Sequence, residues 1–212
     1  MSNYKKLFDE IEFHILNDLK PSKYLNSILE TPIFSNVFPF TLLSDLNKTQ
    51  QSPVHHPEGN VWKHTMLVVD LAAERKEQST DEKVFMWSAL LHDIGKASTT
   101  VIRKGKYTSY NHDKVGETLS MDFLKQFTDD TKFIYKISKI IRWHMQLLFV
   151  VNNLPFSDIK KMCEETSLHE IALLSLCDRL GRSNLTSSRI IIEEQNVKLF
   201  LKKCHKEMEL PT

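Results

Sequence analysis

The stretch FMWSALLHDIGK, residues 85–96, decides the reading of this chain. An apolar run, set in a helix expected over about 80–93, leads straight into His92 and Asp93. Burying an imidazole and a carboxylate without partners is expensive. A metal ion removes that cost. Asp93 has two oxygens and can bridge two ions while His92 binds one of them.

Four further segments extend the pattern outward: WKHT at 62–65, NHDKVGE at 111–117, IIRWHM at 140–145 and LCDRLGR at 176–182. They supply His64, His112, His144 and Asp178 as further candidate ligands. Imidazoles mixed with carboxylates suit one or two divalent transition metals. Such a pair turns water into a nucleophile near neutral pH and clamps a phosphoryl group. Any one histidine on a helix is more often a surface or satisfied core residue. The ordered series outweighs that plain reading, which is kept for His14, His55, His169 and His205.

Lys96 and Arg182 each follow a candidate ligand by three or four residues, about one helical turn. A cation there neutralises charge growing on phosphoryl oxygens. The plain alternative is a surface salt bridge. His56 and Glu58 stand in the loop before the first ligand helix and are expected at the pocket mouth, and Asp113 is the candidate proton carrier. Trp62 and Trp143 read as core packing.

Helices are expected near 4–19, 22–30, 40–48, 60–77, 80–93, 112–127, 130–148, 156–165, 167–180 and 187–208. Gly95 is expected to end the helix that carries His92. TTVIRKGKYTSY, residues 99–110, alternates around a central Lys-Gly and predicts a small β-hairpin. The fold class is therefore all-α with one hairpin. Residues 1–50 form a helical extension, 51–182 the metal-site core and 183–212 a C-terminal helix, all within one domain. Helix bundles build metal sites from side chains projecting off facing helices.

Composition sets limits. The chain carries 28 basic and 27 acidic residues, so strong duplex DNA binding is not expected. The three cysteines lack paired spacing, no secretory signal opens the chain and no long apolar run occurs. These features favour a reduced, cytoplasmic setting with no membrane span. No P-loop pattern is present.

Five segments matched in order, including HHPEGNVWKHT at 55–65 and YNHDKVGE at 110–117, resemble the HD superfamily of metal-dependent phosphohydrolases. The chain is most similar to the HD domain appended to bacterial tRNA nucleotidyltransferases, over roughly residues 50–182. Only about 50 residues stand upstream, too few for a polymerase head, so that activity is not carried over. The resemblance implies that His64, His92, Asp93 and Asp178 hold a first ion and that His112 and His144 serve a second. It implies a phosphomonoesterase or phosphodiesterase acting on a nucleotide or RNA-end phosphate, with Mn, Fe, Co, Ni, Zn or Mg as the metal. Two rivals stand beside it: a metal-stabilised module that only binds RNA or a partner protein, and a di-iron oxygenase.

Overall fold

A computed structural model gives the fold, and the structure describes residues 3–209. Residues 1, 2 and 210–212 of the expected terminal segments lie outside the described residues. The chain opens with α1 (Asn3–Asn17), α2 (Ser22–Ile28), α3 (Pro32–Asn36) and α4 (Thr41–Ser44). The ligand-bearing part follows as α5 (Val61–Ala73), α6 (Glu82–Leu91) and α7 (Lys96–Thr99). Next come β1 (Val101–Arg103), β2 (Lys106–Thr108), α8 (His112–Lys125), α9 (Thr131–Trp143) and α10 (Gln146–Val151). Helices α11 (Ile159–Glu165), α12 (Leu168–Leu180) and α13 (Ser187–Glu209) complete it. The fold is all-α with one antiparallel hairpin, in which Ile102 pairs with Tyr107.

Helix α6 is the axis. Every residue from Val84 to Leu91 is buried. A helix apolar on all sides needs neighbours all round, and α1, α5, α9 and α12 pack against it. Trp87 stacks on Phe8 of α1 with ring centroids 4.6 Å apart, and Phe123 of α8 closes the cluster at 5.9 Å from Trp87. Side-chain caps fix the helix starts. Asn60 accepts from the Lys63 amide at 3.0 Å, and Asp81 and Asp130 do the same for α6 and α9. Each such cap contributes about 1 kcal/mol.

Three expectations change. The first helix stops at Asn17, and Leu19 lies outside it, 89% exposed. The helix expected over 80–93 ends at Leu91, so His92 and Asp93 stand in a turn, and Gly95 opens the short α7 instead of closing α6. The helix expected over 130–148 breaks after Trp143 and resumes at Gln146. Helix α3 has no counterpart among the expected elements.

The two breaks next to ligands share a cause. His92 Nδ1 donates to the carbonyl of Ala89 at 2.9 Å, and His144 Nδ1 donates to that of Ile141 at 2.7 Å. Each ring takes a carbonyl three residues back, where the helical ladder would need it.

Candidate metal centre

His64 comes from the first turn of α5, Asp178 from the last turn of α12, His112 from the start of α8, and His92, Asp93 and His144 from helix-ending turns. Their tips converge. His64 Nε2 lies 2.9 Å from Asp178 Oδ1 and 3.9 Å from Asp93 Oδ2. His92 Nε2 lies 3.3 Å from Asp93 Oδ2. On the other carboxylate oxygen, Asp93 Oδ1, His112 Nε2 stands at 3.6 Å and His144 Nε2 at 3.9 Å. Asp93 therefore faces two groups, with His64 and His92 on one side and His112 and His144 on the other.

The tautomers follow from the partners. A carbonyl only accepts, so an Nδ1 bonded to one carries the proton and leaves Nε2 with a lone pair. His92, His112 and His144 bond the carbonyls of Ala89, Ser109 and Ile141. His64 bonds Gly181 O at 2.9 Å instead, across the fold. The Nε2 atoms of His92, His112 and His144 thus point lone pairs at one place, and His64 Nε2, 2.9 Å from Asp178 Oδ1, offers its own once a cation displaces its proton. His92 Nε2 and Asp93 Oδ2 are buried with no hydrogen-bond partner, the second even though Lys96 Nζ sits 2.7 Å away at an unsuitable angle. His112 Nε2 and His144 Nε2 are 3.2 Å apart, the spacing of adjacent ligands held about 2.1 Å from one ion. Orphaned buried atoms and facing lone pairs fit divalent cations and little else.

The electrostatics divide the cluster. Burial lowers the basicity of His64, but Asp178 and Glu58 outweigh it and push the imidazole up to about 9. Burial pushes His112 down to about 4, offset only in part by Asp93, and burial with nearby His92 lowers His144. Burial would raise Asp93, yet Lys96 and His92 hold its carboxyl well below the usual range. Asp178 is held low in the same way by His64 against its burial.

A cleft of about 540 Å³ opens onto this cluster. Asp93, Lys96, His112, His144, Asp178, His56 and Arg182 line it. Lys96 is 11% exposed, and its Nζ also donates to Gln51 Oε1 at 3.3 Å. Arg182 Nε is buried without a partner, whereas Arg179 and Arg189 both pair with Glu193.

Two expected pocket residues are elsewhere. Glu58 is not at the mouth; only 3% exposed, it sits behind His64, with Oε1 2.9 Å from His56 Nδ1 and 3.0 Å from His64 Nδ1. Its charge is better used where two imidazoles face it than in open solvent, and they hold it below the usual carboxylate range despite its burial. The trio His56, Glu58 and His64 is no third metal site on the shared histidine, because His64 Nδ1 already donates to Gly181 O. Asp113 is turned to Arg142 at 2.6 Å and ties α8 to α9, so it is not brought to the cleft.

Sequence reasoning missed Gln51, which steadies Lys96, and Ser175, whose Oγ donates to His144 O at 3.1 Å. Neither carries a motif signal, since both matter only through tertiary contact. His55, set aside from the sequence, lines the cleft. Trp62 and Trp143 are buried, each donating its indole N–H, to Asn26 and Glu165.

A profile of the HD domain family matches residues 61–183, more than half of the chain. The multifunctional CCA protein of Aromatoleum aromaticum is 34% identical over 86 residues, 41% of this chain and 20% of that protein. Its counterpart in Halorhodospira halophila is 45% identical over 49 residues, 23% of this chain and 11% of that protein. The one in Methylococcus capsulatus is 25% identical over 162 residues, 76% of this chain and 32% of that protein. The chain thus spans about a third or less of the length of these curated relatives.

Proposed function

This chain belongs to the HD domain family, and from that membership we propose that it is a metal-dependent phosphohydrolase acting on a nucleotide or RNA-end phosphate. HD domains in general bind divalent metals and hydrolyse phosphate esters. One observation carries the reading: Asp93, which lines an open cleft, has its Oδ2 buried without a hydrogen-bond partner, 3.3 Å from His92 Nε2, which lacks one too. His64, His92, Asp93 and Asp178 would hold one divalent ion, and Asp93, His112 and His144 a second. Bound there, such ions supply a hydroxide near neutral pH and stabilise charge on the phosphoryl oxygens.

The remaining roles belong to the chain's own residues. Lys96, ion-paired to Asp93, offers its ammonium to a non-bridging phosphate oxygen from the cleft wall. Arg182 has an unpartnered guanidinium nitrogen on the same cleft and takes a second oxygen. His56 donates Nδ1–H to Glu58 and is held to about 4, mainly by burial, so at pH 7 its Nε2 accepts a hydrogen bond from a substrate hydroxyl. Support for a nucleotide or RNA end comes from the partial likeness to multifunctional CCA proteins. Among the described residues no helix is long and apolar enough to cross a membrane. Three free thiols support a cytoplasmic setting.

The test is elemental analysis of the purified protein, followed by a phosphoester panel with Mn²⁺, Co²⁺, Ni²⁺ and Mg²⁺ added separately. We expect one to two ions per chain and hydrolysis of at least one nucleotide or oligonucleotide ester. Asp93→Ala is expected to lose both ions and at least the roughly 10²–10³-fold in turnover that one electrostatic stabiliser is worth. Full activity of metal-free Asp93→Ala defeats the proposal. Metal-loaded protein inert on the whole panel favours a binding module, and oxygen uptake with iron favours an oxygenase.

A further inference from the structure

We propose that the β1–β2 hairpin is a lip that holds the single-stranded nucleotides adjoining the phosphate in the cleft. The proposal deepens the reading above by making an oligonucleotide end, not a free mononucleotide, the preferred substrate.

The hairpin has no packing reason to stand where it does. All three residues of β1 are exposed, and only the last of β2 is partly covered. A lone two-stranded hairpin is marginal in water, so its fixed position comes from its base. There Thr100 Oγ1 and Ser109 Oγ share a hydrogen bond at 2.7 Å, and Ser109 O accepts from His112 Nδ1 at 2.7 Å. The same backbone carbonyl that orients a candidate metal ligand thus sets where the lip begins.

Its chemistry is one-sided. Residues 94–112 contain Lys96, Arg103, Lys104 and Lys106 and no acid, in a chain balanced as a whole at 28 basic to 27 acidic residues. Tyr107 and Tyr110 line the same cleft as Asp93 and His112. Tyr110 is 65% exposed, and the Arg103 guanidinium lies 4.6 Å above its ring. Tyr107 also borders a second cleft of about 600 Å³, with Lys48, Thr100 and Ile102.

The tip adds a further sign. Lys104 (φ 48°) and Gly105 (φ 74°) make the left-handed corner, where Asn or Asp is the cheaper first residue. A lysine there places positive charge at the far end of the lip.

Exposed aromatic faces beside cations, with no acid between them, match a strand whose bases are free to stack and whose phosphates need neutralising. A duplex hides its base faces. A mononucleotide needs only Lys96 and Arg182 and gains nothing from a lip.

The test uses the full chain and an eight-nucleotide single-stranded RNA carrying a 5′ fluorophore, read by fluorescence anisotropy with chelator and again with Mn²⁺. The same RNA as a blunt duplex and AMP serve as competitors. The single strand should bind at least about tenfold more tightly than either. Tyr110→Ala should weaken strand binding about tenfold. Lys104→Asn, which keeps the turn, together with Arg103→Ser should lower the salt slope by about 1.4, since roughly 0.7 is lost per phosphate contact on a single strand. Unchanged thermal melting would show that the fold survives. Equal affinity for duplex or AMP, absent strand binding, or variants that bind like the parent would each overturn the lip. Binding is read without turnover, so strand binding with no hydrolysis would break only the hydrolase reading. Hydrolysis of a small aryl phosphate without strand binding would break only the lip.

Discussion

His64 and His112 are the same residue type within one cluster, yet they behave in opposite ways. His64 is backed by two carboxylates, Asp178 on Nε2 and Glu58 near Nδ1, and is driven up to about 9. His112 faces one carboxylate, the shared Asp93, beside another imidazole and the Lys96 ammonium, and burial drives it down to about 4. The half-site around His64 is thus anionic and the half-site around His112 close to neutral. A cation that displaces the His64 proton gains more Coulomb energy in the first, so two ions should load unequally, the His64 side first.

The strongest way to break this comparison is at the ligands. His64→Ala should empty the tighter half and cost roughly 10²–10³-fold or more in turnover. His112→Ala should still hold one ion per chain by elemental analysis. If His112→Ala emptied both halves, or His64→Ala kept both ions, the asymmetry would be wrong.

The halves are joined at Gly95. A methyl group there would lie 2.1 Å from His112 O and 2.7 Å from Gly116 N, both backbone atoms that cannot swing away. Gly95→Ala should therefore destabilise the fold by about 1–3 kcal/mol, as overpacking does, with α7 forced off α8. Urea unfolding measures this, and an unchanged midpoint would show that the two turns have slack.

Glu58→Gln sharpens the comparison without touching a ligand. Metal affinity of the His64 half should fall about 10–100-fold, the usual effect of removing a carboxylate behind a ligating histidine. Calorimetric titration should show the change in the first binding step only. An equal fall in both steps would mean that Glu58 serves the general field instead of His64.

The smallest effect is in pH. His64 in the metal-free protein titrates near 9, above its ordinary 6.5. Its contribution to stability is present below about 6.5 and is lost as pH rises through 9. His112 titrates near 4, below 6.5, so its neutral burial costs nothing above 6.5 and costs stability as pH falls toward 4. Chelator-treated protein should be most stable near pH 6.5, with His64→Ala flattening the alkaline limb and His112→Ala the acid limb. An alkaline limb that survives His64→Ala removes the argument.

Much of this was legible in the chain. The apolar run before His92 announces a buried helix, and the alternation around Lys104-Gly105 announces the hairpin. The six candidate ligands could be picked out because each sits in its own short pattern, and the structure brings all six together. The helix breaks at His92 and His144 were not legible, because periodicity continues through them. Only the ring that folds back on the carbonyl three residues earlier shows why the ladder stops. Glu58 and Asp113 were misplaced for a related reason: a carboxylate near a ligand in sequence can face a histidine or an arginine that folding alone supplies.

The sequence by itself determined three of the four tautomers. His92, His112 and His144 each find a carbonyl three residues back, a contact made within a single turn. The fourth was decided by tertiary structure. His64 lies in the first turn of α5, and its Nδ1 reaches Gly181, 117 residues away. Local geometry fixes what short covalent distance allows. Which charges surround a buried ring, and so whether it holds a proton, depends on groups that only packing brings within a few ångströms.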